Sequence, residues 1–262
     1  MVTLPMLKIS IITVVFNSVN TIEPCINSVL NQTYPLEHII IDGGSTDGTL
    51  DVINQYSTDN LKLISEPDEG MYDALNKGID AASGDIIGIL HADDIFENNE
   101  VISKVARVFE IKNPDTCYGD LLYVDHNDTN KIIRYWQSGS FKKNKFLWGW
   151  MPPHPTFFVK KMVYKKFGGF NLSLGSAADY ELMLRLLVKN KCSCAYLPKI
   201  ITRMRVGGVS NASLKNRLKA NINDRKAWEV NNIRPYPWTL YFKPLRKIKQ
   251  YFIKPSTNTL KK

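Results

Sequence analysis

Four short apolar runs, each followed by a stretch with helical spacing, constrain this chain more than any other feature. Lys8–Phe16 (KISIITVVF), Ile39–Ile41, Leu61–Ser65 and Asp85–Leu90 (DIIGIL) recur roughly every 25–30 residues. The first is β-branched and apolar almost throughout, as a strand covered on both faces must be. Between the runs, Thr21–Leu30 places Ile22, Ile26, Val29 and Leu30 at helical spacing, and Asp47–Tyr56 does the same with Leu50 and Ile53. Met71, Ala74, Leu75 and Ile79 mark a third helix, and Val101, Ile102, Val105, Val108 and Phe109 a fourth, strongly amphipathic one. Such alternation predicts an α/β fold with a Rossmann-like, mostly parallel sheet flanked by helices. In sheets of this kind ligands sit outside the carboxyl ends of the strands. Asp42 and the pair Asp93-Asp94 fall at two such ends.

Beyond Asp115 the pattern loosens. Tyr118–Val124 and Ile132–Trp136 read as strands, and a loop rich in Trp and Pro (Trp148, Trp150, Pro152, Pro153, Pro155) surrounds His154. Asp179–Val188 is a Leu-rich helix, Leu214–Val230 a polar one. No apolar run approaches the ~20 residues of a membrane-spanning helix. The opening Met-Val-Thr-Leu-Pro-Met lacks the pattern of a secretory signal, and Cys25, Cys117, Cys192 and Cys194 lack zinc-knuckle spacing, so a cytoplasmic chain with reduced thiols is expected. The net charge of +9 is concentrated at one end: from Ala212 onward 13 Lys and Arg face two acids, while the body before it is close to neutral. A basic, helical C-terminal extension over 211–262 is therefore expected beyond a domain at 1–210, and it calls for an anionic partner.

Three segments carry candidate chemistry. Adjacent carboxylates at a strand end, Asp93 and Asp94, suit either an acidic turn or a hard cation shared with phosphate oxygens. Asp42-Gly43-Gly44-Ser45-Thr46-Asp47-Gly48-Thr49 is a glycine-rich turn between strand and helix, with Asp47 as helix cap. It lacks the Gly-Lys-Ser/Thr ending of a P-loop, and no Gly-x-Gly-x-x-Gly follows the first strand, which counts against both phosphoryl and hydride transfer. Asp179 opens a helix, where a carboxylate is favoured by the helix dipole whether it caps or catalyses. His154 alone is as readily structural as chemical.

Together these segments resemble the family 2 glycosyltransferases of the GT-A fold, closest to bacterial members that build cell-surface polysaccharides. The resemblance is carried by Ser10–Asn17, the Asp42–Thr49 turn, Ser65-Glu66-Pro67-Asp68-Glu69-Gly70, Asn76-Lys77-Gly78, Ser83-Gly84-Asp85 and His91-Ala92-Asp93-Asp94. It continues through Gly168-Gly169-Phe170, Asp179-Tyr180-Glu181 and Gly207-Gly208-Val209-Ser210, in the family's order. It implies that Thr13, Val15 and Asn17 line a nucleoside pocket and that Asp42 accepts a hydrogen bond from the base, commonly uracil. Asp93 and Asp94 would hold Mn²⁺ or Mg²⁺ against the donor diphosphate, with His91 at the first position of their motif as a further candidate ligand. Asp179 would be the general base, and His154 and Glu181 would contact donor or acceptor. Many relatives carry an Arg where this chain has Leu75, and Lys77 would replace its charge.

The implied reaction is an inverting, metal-dependent hexosyl transfer from a nucleotide sugar, a UDP-sugar foremost, to a saccharide or lipid-linked saccharide. A non-catalytic nucleotide-sugar-binding protein is the rival reading. The stretch Tyr236–Ile253 interleaves Trp, Tyr, Phe, Leu and Ile with Lys and Arg, which suits peripheral attachment to the anionic inner face of a membrane or packing back on the body. The extension has no nucleic-acid-binding motif, and no nucleic-acid partner is expected.

Overall fold

The structure is a computed structural model and describes residues 6–56, 58–207 and 214–255. The first half runs β1 (Ile9–Val15), α1 (Ile22–Leu30), β2 (Leu36–Asp42), α2 (Thr49–Ile53), β3 (Leu61–Ser65), α3 (Met71–Ala81) and β4 (Ile86–Ile89). β5 (Ile95–Phe96), α4 (Val101–Lys112), β6 (Thr116–Val124), β7 (Ile132–Trp136), α5 (Asn144–Leu147), β8 (Phe158–Lys160) and α6 (Lys161–Phe167) follow. The chain then forms α7 (Ala178–Leu184), which continues into a π-type turn over Arg185–Lys189, and β9 (Cys194–Arg205). It ends in α8 (Leu214–Val230) and α9 (Thr239–Ile248).

The strands make one sheet in the order β3-β2-β1-β4-β8-β6-β9-β5, with β7 paired to β6. The expected parallel unit is present: β1 pairs in parallel with β2 and β4, and β2 with β3. The second half mixes directions, with β8 antiparallel to β4 and β6, β7 antiparallel to β6, and β9 parallel to β6. Every residue of β1 and β4 is buried, which is why neither alternates polar and apolar side chains. One layer of the core sets Ile12, Leu75, Ile89, Tyr118, Leu182 and Trp228 together; the other sets Ile11, Cys25, Val105, Phe109 and Phe158.

The C-terminal extension packs back on this body through one of its sides. Ala227 and Trp228 are fully buried, and the Trp228 indole N–H donates to the Tyr180 hydroxyl at 3.0 Å. Thr239 and Leu240 are buried at the start of α9, and Lys243 forms an ion pair with Asp224 at 2.6 Å. All four cysteines are free thiols. Among the described residues no helix is long and apolar enough to cross a membrane. Of the motif Gly207–Ser210, residues 208–210 lie outside the described residues.

Candidate active site

The parallel register sets Val15 beside Asp42, so the ends of β1 and β2 open at the same level. Asp42 is fully buried and its Oδ2 accepts from the backbone N–H of Gly44 (3.0 Å) and Ser45 (3.1 Å) and from the Ser65 hydroxyl (2.7 Å). Asn17 takes a left-handed backbone conformation (φ 48°) and grips the same turn from the other side. Its Oδ1 accepts from Thr46 N–H at 2.9 Å, and its own N–H donates to Ser45 Oγ at 2.8 Å. A Cβ at Gly43 would lie 2.5 Å from Asp68 Oδ2, so only glycine lets the Asp68 carboxylate close over the turn. Thr13 and Val15 are both buried, and the Thr13 hydroxyl lies 2.9 Å from His38 Nε2, occupied within the core.

Leu75 is buried in the core, so its position supplies no charge. Lys77, which would replace that charge, is already engaged. Its ammonium lies 3.0 Å from Glu66 and 3.4 Å from Asp73 and donates to the Pro67 carbonyl at 2.8 Å. The neighbouring Asn76 serves the fold. Its amide exchanges two hydrogen bonds with the Phe170 backbone, at 2.8 and 3.0 Å, and so fixes the Gly168–Phe170 segment against α3.

At the end of β4 the Asp94 N–H donates to the His91 carbonyl at 2.9 Å, closing a tight turn that presents His91, Asp93 and Asp94. Asp94 is fully buried; its Oδ1 accepts from the Arg205 N–H at 3.1 Å, whereas its Oδ2 is buried with no hydrogen-bond partner. Burial, reinforced by the charge of Asp93, pushes the Asp94 carboxyl well above the usual carboxylate range. A buried carboxylate oxygen without a donor, beside a half-exposed second carboxylate, fits a hard divalent cation that would neutralise both. The two side chains fill only part of such a coordination shell. Among the described residues no group of three or more His, Cys, Asp or Glu could hold a metal ion, so His91 does not complete a three-residue set with Asp93 and Asp94.

His91 and His154 face each other with ring centroids 5.8 Å apart. Burial holds the pKa of both at about 4, so both rings are neutral at neutral pH. His154 meets the edge of Phe170 at 5.6 Å, and its Nε2 is buried and unpartnered. Asp179 lies in the first turn of α7, half-buried, with Tyr180 N–H donating to it at 2.7 Å. Burial raises its pKa; Lys243 of α9 is the main influence against that rise, with the Tyr180 N–H and His91 adding to it. The Tyr72 phenol of α3 lies beside the same carboxylate. His91, His154 and Asp179 are thus brought together from β4, the loop before β8, and α7.

Glu181 does not join them. It is 2% exposed and bound to Arg185 Nε (2.9 Å), Arg185 Nη2 (3.1 Å) and Asn231 Nδ2 (2.9 Å), so both of its oxygens are engaged at the α7–α8 junction. The structure places this residue, expected to contact donor or acceptor, in a buried hydrogen-bonded junction apart from His91 and His154. Two residues at the site, Tyr72 and Lys243, were not legible as site residues in the sequence. For Lys243 a signal existed, since it falls on the side of α9 opposite the exposed stripe Tyr241-Leu245-Ile248.

A mixed sheet with a glycine-rich turn at one strand end and paired carboxylates at another defines a GT-A glycosyltransferase fold. The Glycosyl transferase family 2 profile matches residues 10–167, and the chain belongs to that family. It is 34% identical over 180 residues to an uncharacterized glycosyltransferase of Mycobacterium tuberculosis, covering 68% of each chain. It is 28% identical over 208 residues to a PGL/p-HBAD biosynthesis glycosyltransferase of Mycobacterium bovis, covering 77% of this chain and 78% of that one. In fold it is similar to S. aureus TarS 1-349 in complex with UDP, with a TM-score of 0.67 at 18% identity over 92% of this chain and 72% of that one. It is likewise similar to the mannosyltransferase PcManGT from Pyrobaculum calidifontis in complex with GDP-Man and Mn²⁺, with a TM-score of 0.59 at 17% identity over 93% and 69%.

Proposed function

We propose that this family 2 glycosyltransferase moves a hexosyl group from a nucleoside diphosphate sugar, a UDP-sugar foremost, to a hydroxyl of a saccharide or lipid-linked saccharide, with inversion. The observation that carries the reading is that His91, from the turn that bears Asp93 and Asp94 at the end of β4, lies beside both Asp93 and Asp179. The Asp42 and Asn17 turn would receive the nucleoside. Asp93 and Asp94 would hold Mn²⁺ or Mg²⁺, which supplies positive charge against the developing diphosphate. Asp179 would take the proton of the acceptor hydroxyl as its oxygen bonds to the anomeric carbon and the bond to the diphosphate breaks. A single displacement of this kind inverts the anomeric centre. Neutral His91 and the Tyr72 ring border the same carboxylate, with His154 and Phe170 packed against them, a lining suited to a sugar ring. The solved neighbours with UDP and with GDP-Man and Mn²⁺ support a nucleotide-sugar donor. Work at the cytoplasmic face of a membrane would suit a lipid-linked acceptor.

Asp179→Asn keeps the size and much of the capping geometry but cannot take a proton. It is expected to leave UDP affinity nearly unchanged in calorimetry and to lower donor consumption by about 10²–10⁴-fold. Undiminished turnover in the variant would remove Asp179 from the role of base. A wild-type protein that binds UDP-sugars but consumes none with any saccharide acceptor would favour a non-catalytic binding protein.

A further inference from the structure

The side of α9 turned away from the body is apolar, and among the described residues nothing covers it. Tyr241, Leu245, Ile248 and Phe252 follow at spacings of four, three and four and are 66%, 55%, 53% and 81% exposed. Trp238, Tyr251 and Ile253 border this stripe and are also exposed. Tyr236 stacks on Trp238 at 5.2 Å, and Trp238 lies 6.1 Å from the exposed Trp148, which extends the patch onto the body. Arg246, Lys247, Lys249 and Lys254 are exposed in the same segment, and no acidic residue follows Glu229 anywhere in the chain.

The patch is presented by a clamped helix. Thr239 Oγ1 donates to the Leu147 carbonyl at 2.6 Å and Arg246 Nε to the Trp148 carbonyl at 2.9 Å. The α9 backbone at Lys243 comes so close to Gly149 (φ 71°) that a Cβ there would lie 2.5 Å from the Lys243 nitrogen. Beyond the helix, the Arg134 guanidinium lies 3.6 Å from the Tyr123 ring centroid and 5.4 Å from that of Tyr251. A rigid surface that combines an apolar stripe, interfacial aromatics and charges of one sign matches an anionic lipid bilayer. Headgroups meet the lysines, and the upper acyl region meets the stripe. A protein groove would satisfy the stripe alone.

We propose that this face docks on an anionic bilayer and so holds the base end of the site beside the lipid surface. The inner side of the same helix carries Lys243, which bonds Asp224 and lies 3.9 Å from the ring centroid of Tyr180, the residue after Asp179. The helix seated in the headgroups is therefore also the helix that borders the candidate base. The part of the proposal that concerns an acceptor arriving on lipid rests on the function proposed above; docking itself does not.

Cosedimentation of the full chain with neutral phosphatidylcholine vesicles, with vesicles containing phosphatidylglycerol, and without vesicles decides the matter. The protein is expected to sediment with the anionic vesicles at low salt and to stay in the supernatant in the other two samples. Lys249→Gln combined with Lys254→Gln should weaken the association about 30-fold. Tyr241→Ser with Leu245→Ser and Phe252→Ser should abolish it while melting as the wild type does. Association equal on neutral and anionic vesicles, none on either, or an unchanged triple variant would overturn the proposal. Sedimentation without vesicles would show that a second copy covers the face, and would overturn it equally. Donor hydrolysis measured on the same samples tests the transferase reading separately, since vesicle binding is read without turnover.

Discussion

Replacing Glu181 by alanine separates a structural carboxylate from a substrate contact. Its side chain is buried and takes two hydrogen bonds from Arg185 and one from Asn231, tying α7 to α8. Removing one partner of a buried ion pair typically costs about 3–5 kcal/mol, because the other charge is left uncompensated. Here the stranded guanidinium keeps the carbonyls of Phe167, Gly168 and Gly169, and Asn231 keeps the Ala227 carbonyl at 2.9 Å. Those remaining acceptors place the loss at the lower end, about 3 kcal/mol. In a chain of this size that corresponds to a fall in Tm of roughly 6–12 °C. Thermal unfolding followed by circular dichroism measures it, with Glu181→Gln, which keeps the shape and one acceptor oxygen, expected to lose less. At temperatures where Glu181→Ala is fully folded, donor consumption should match the wild type. An unchanged Tm together with lost turnover would refute the structural assignment and return Glu181 to the substrate.

Two further outcomes are expected. His38 is fully buried with its pKa held at about 3 by burial, far below the ordinary value near 6.5, so the folded state binds fewer protons than the unfolded one in between. Its contribution is whole above pH 6.5 and is lost as pH falls toward 3, the loss amounting to roughly 3 kcal/mol by pH 4.5; urea unfolding at a series of pH values should show that slope flattened in His38→Gln, and a wild type with pH-independent stability over this range would contradict it. Calorimetry with UDP should show Mn²⁺-dependent binding that Asp93→Ala cuts steeply; equal affinity with and without EDTA would remove the cation from the Asp93-Asp94 pair.

The parallel half of the sheet was legible because each of its strands is a local apolar run that needs no distant partner to be recognised. Leu61–Ser65 is observed with the boundaries read from the sequence, and so, in the mixed half, is Ile132–Trp136. The strands that escaped notice are defined by pairing instead. β8 is only three residues long and exists because Val159 and Phe158 fit between β4 and β6, while β9 carries Pro198 and Lys199 within it and is held by its long register along β6.

The same division runs through the site. Asp42 and Asp94 could be singled out as candidates because strand ends are where such sheets bind ligands, and a strand end is visible in one dimension. Asp179 and Glu181 could not be told apart on that basis. They occupy one helical turn, two positions and about 200° apart, so one must face away from whatever the other faces. Which of them looks into the site is set by α8, whose end is followed by Asn231 closing over Glu181, and by α9, whose Lys243 faces Asp179. A basic extension that reads by composition as a tail is thus what distinguishes the candidate base from a structural acid, through a lysine on the side of α9 opposite its outward stripe.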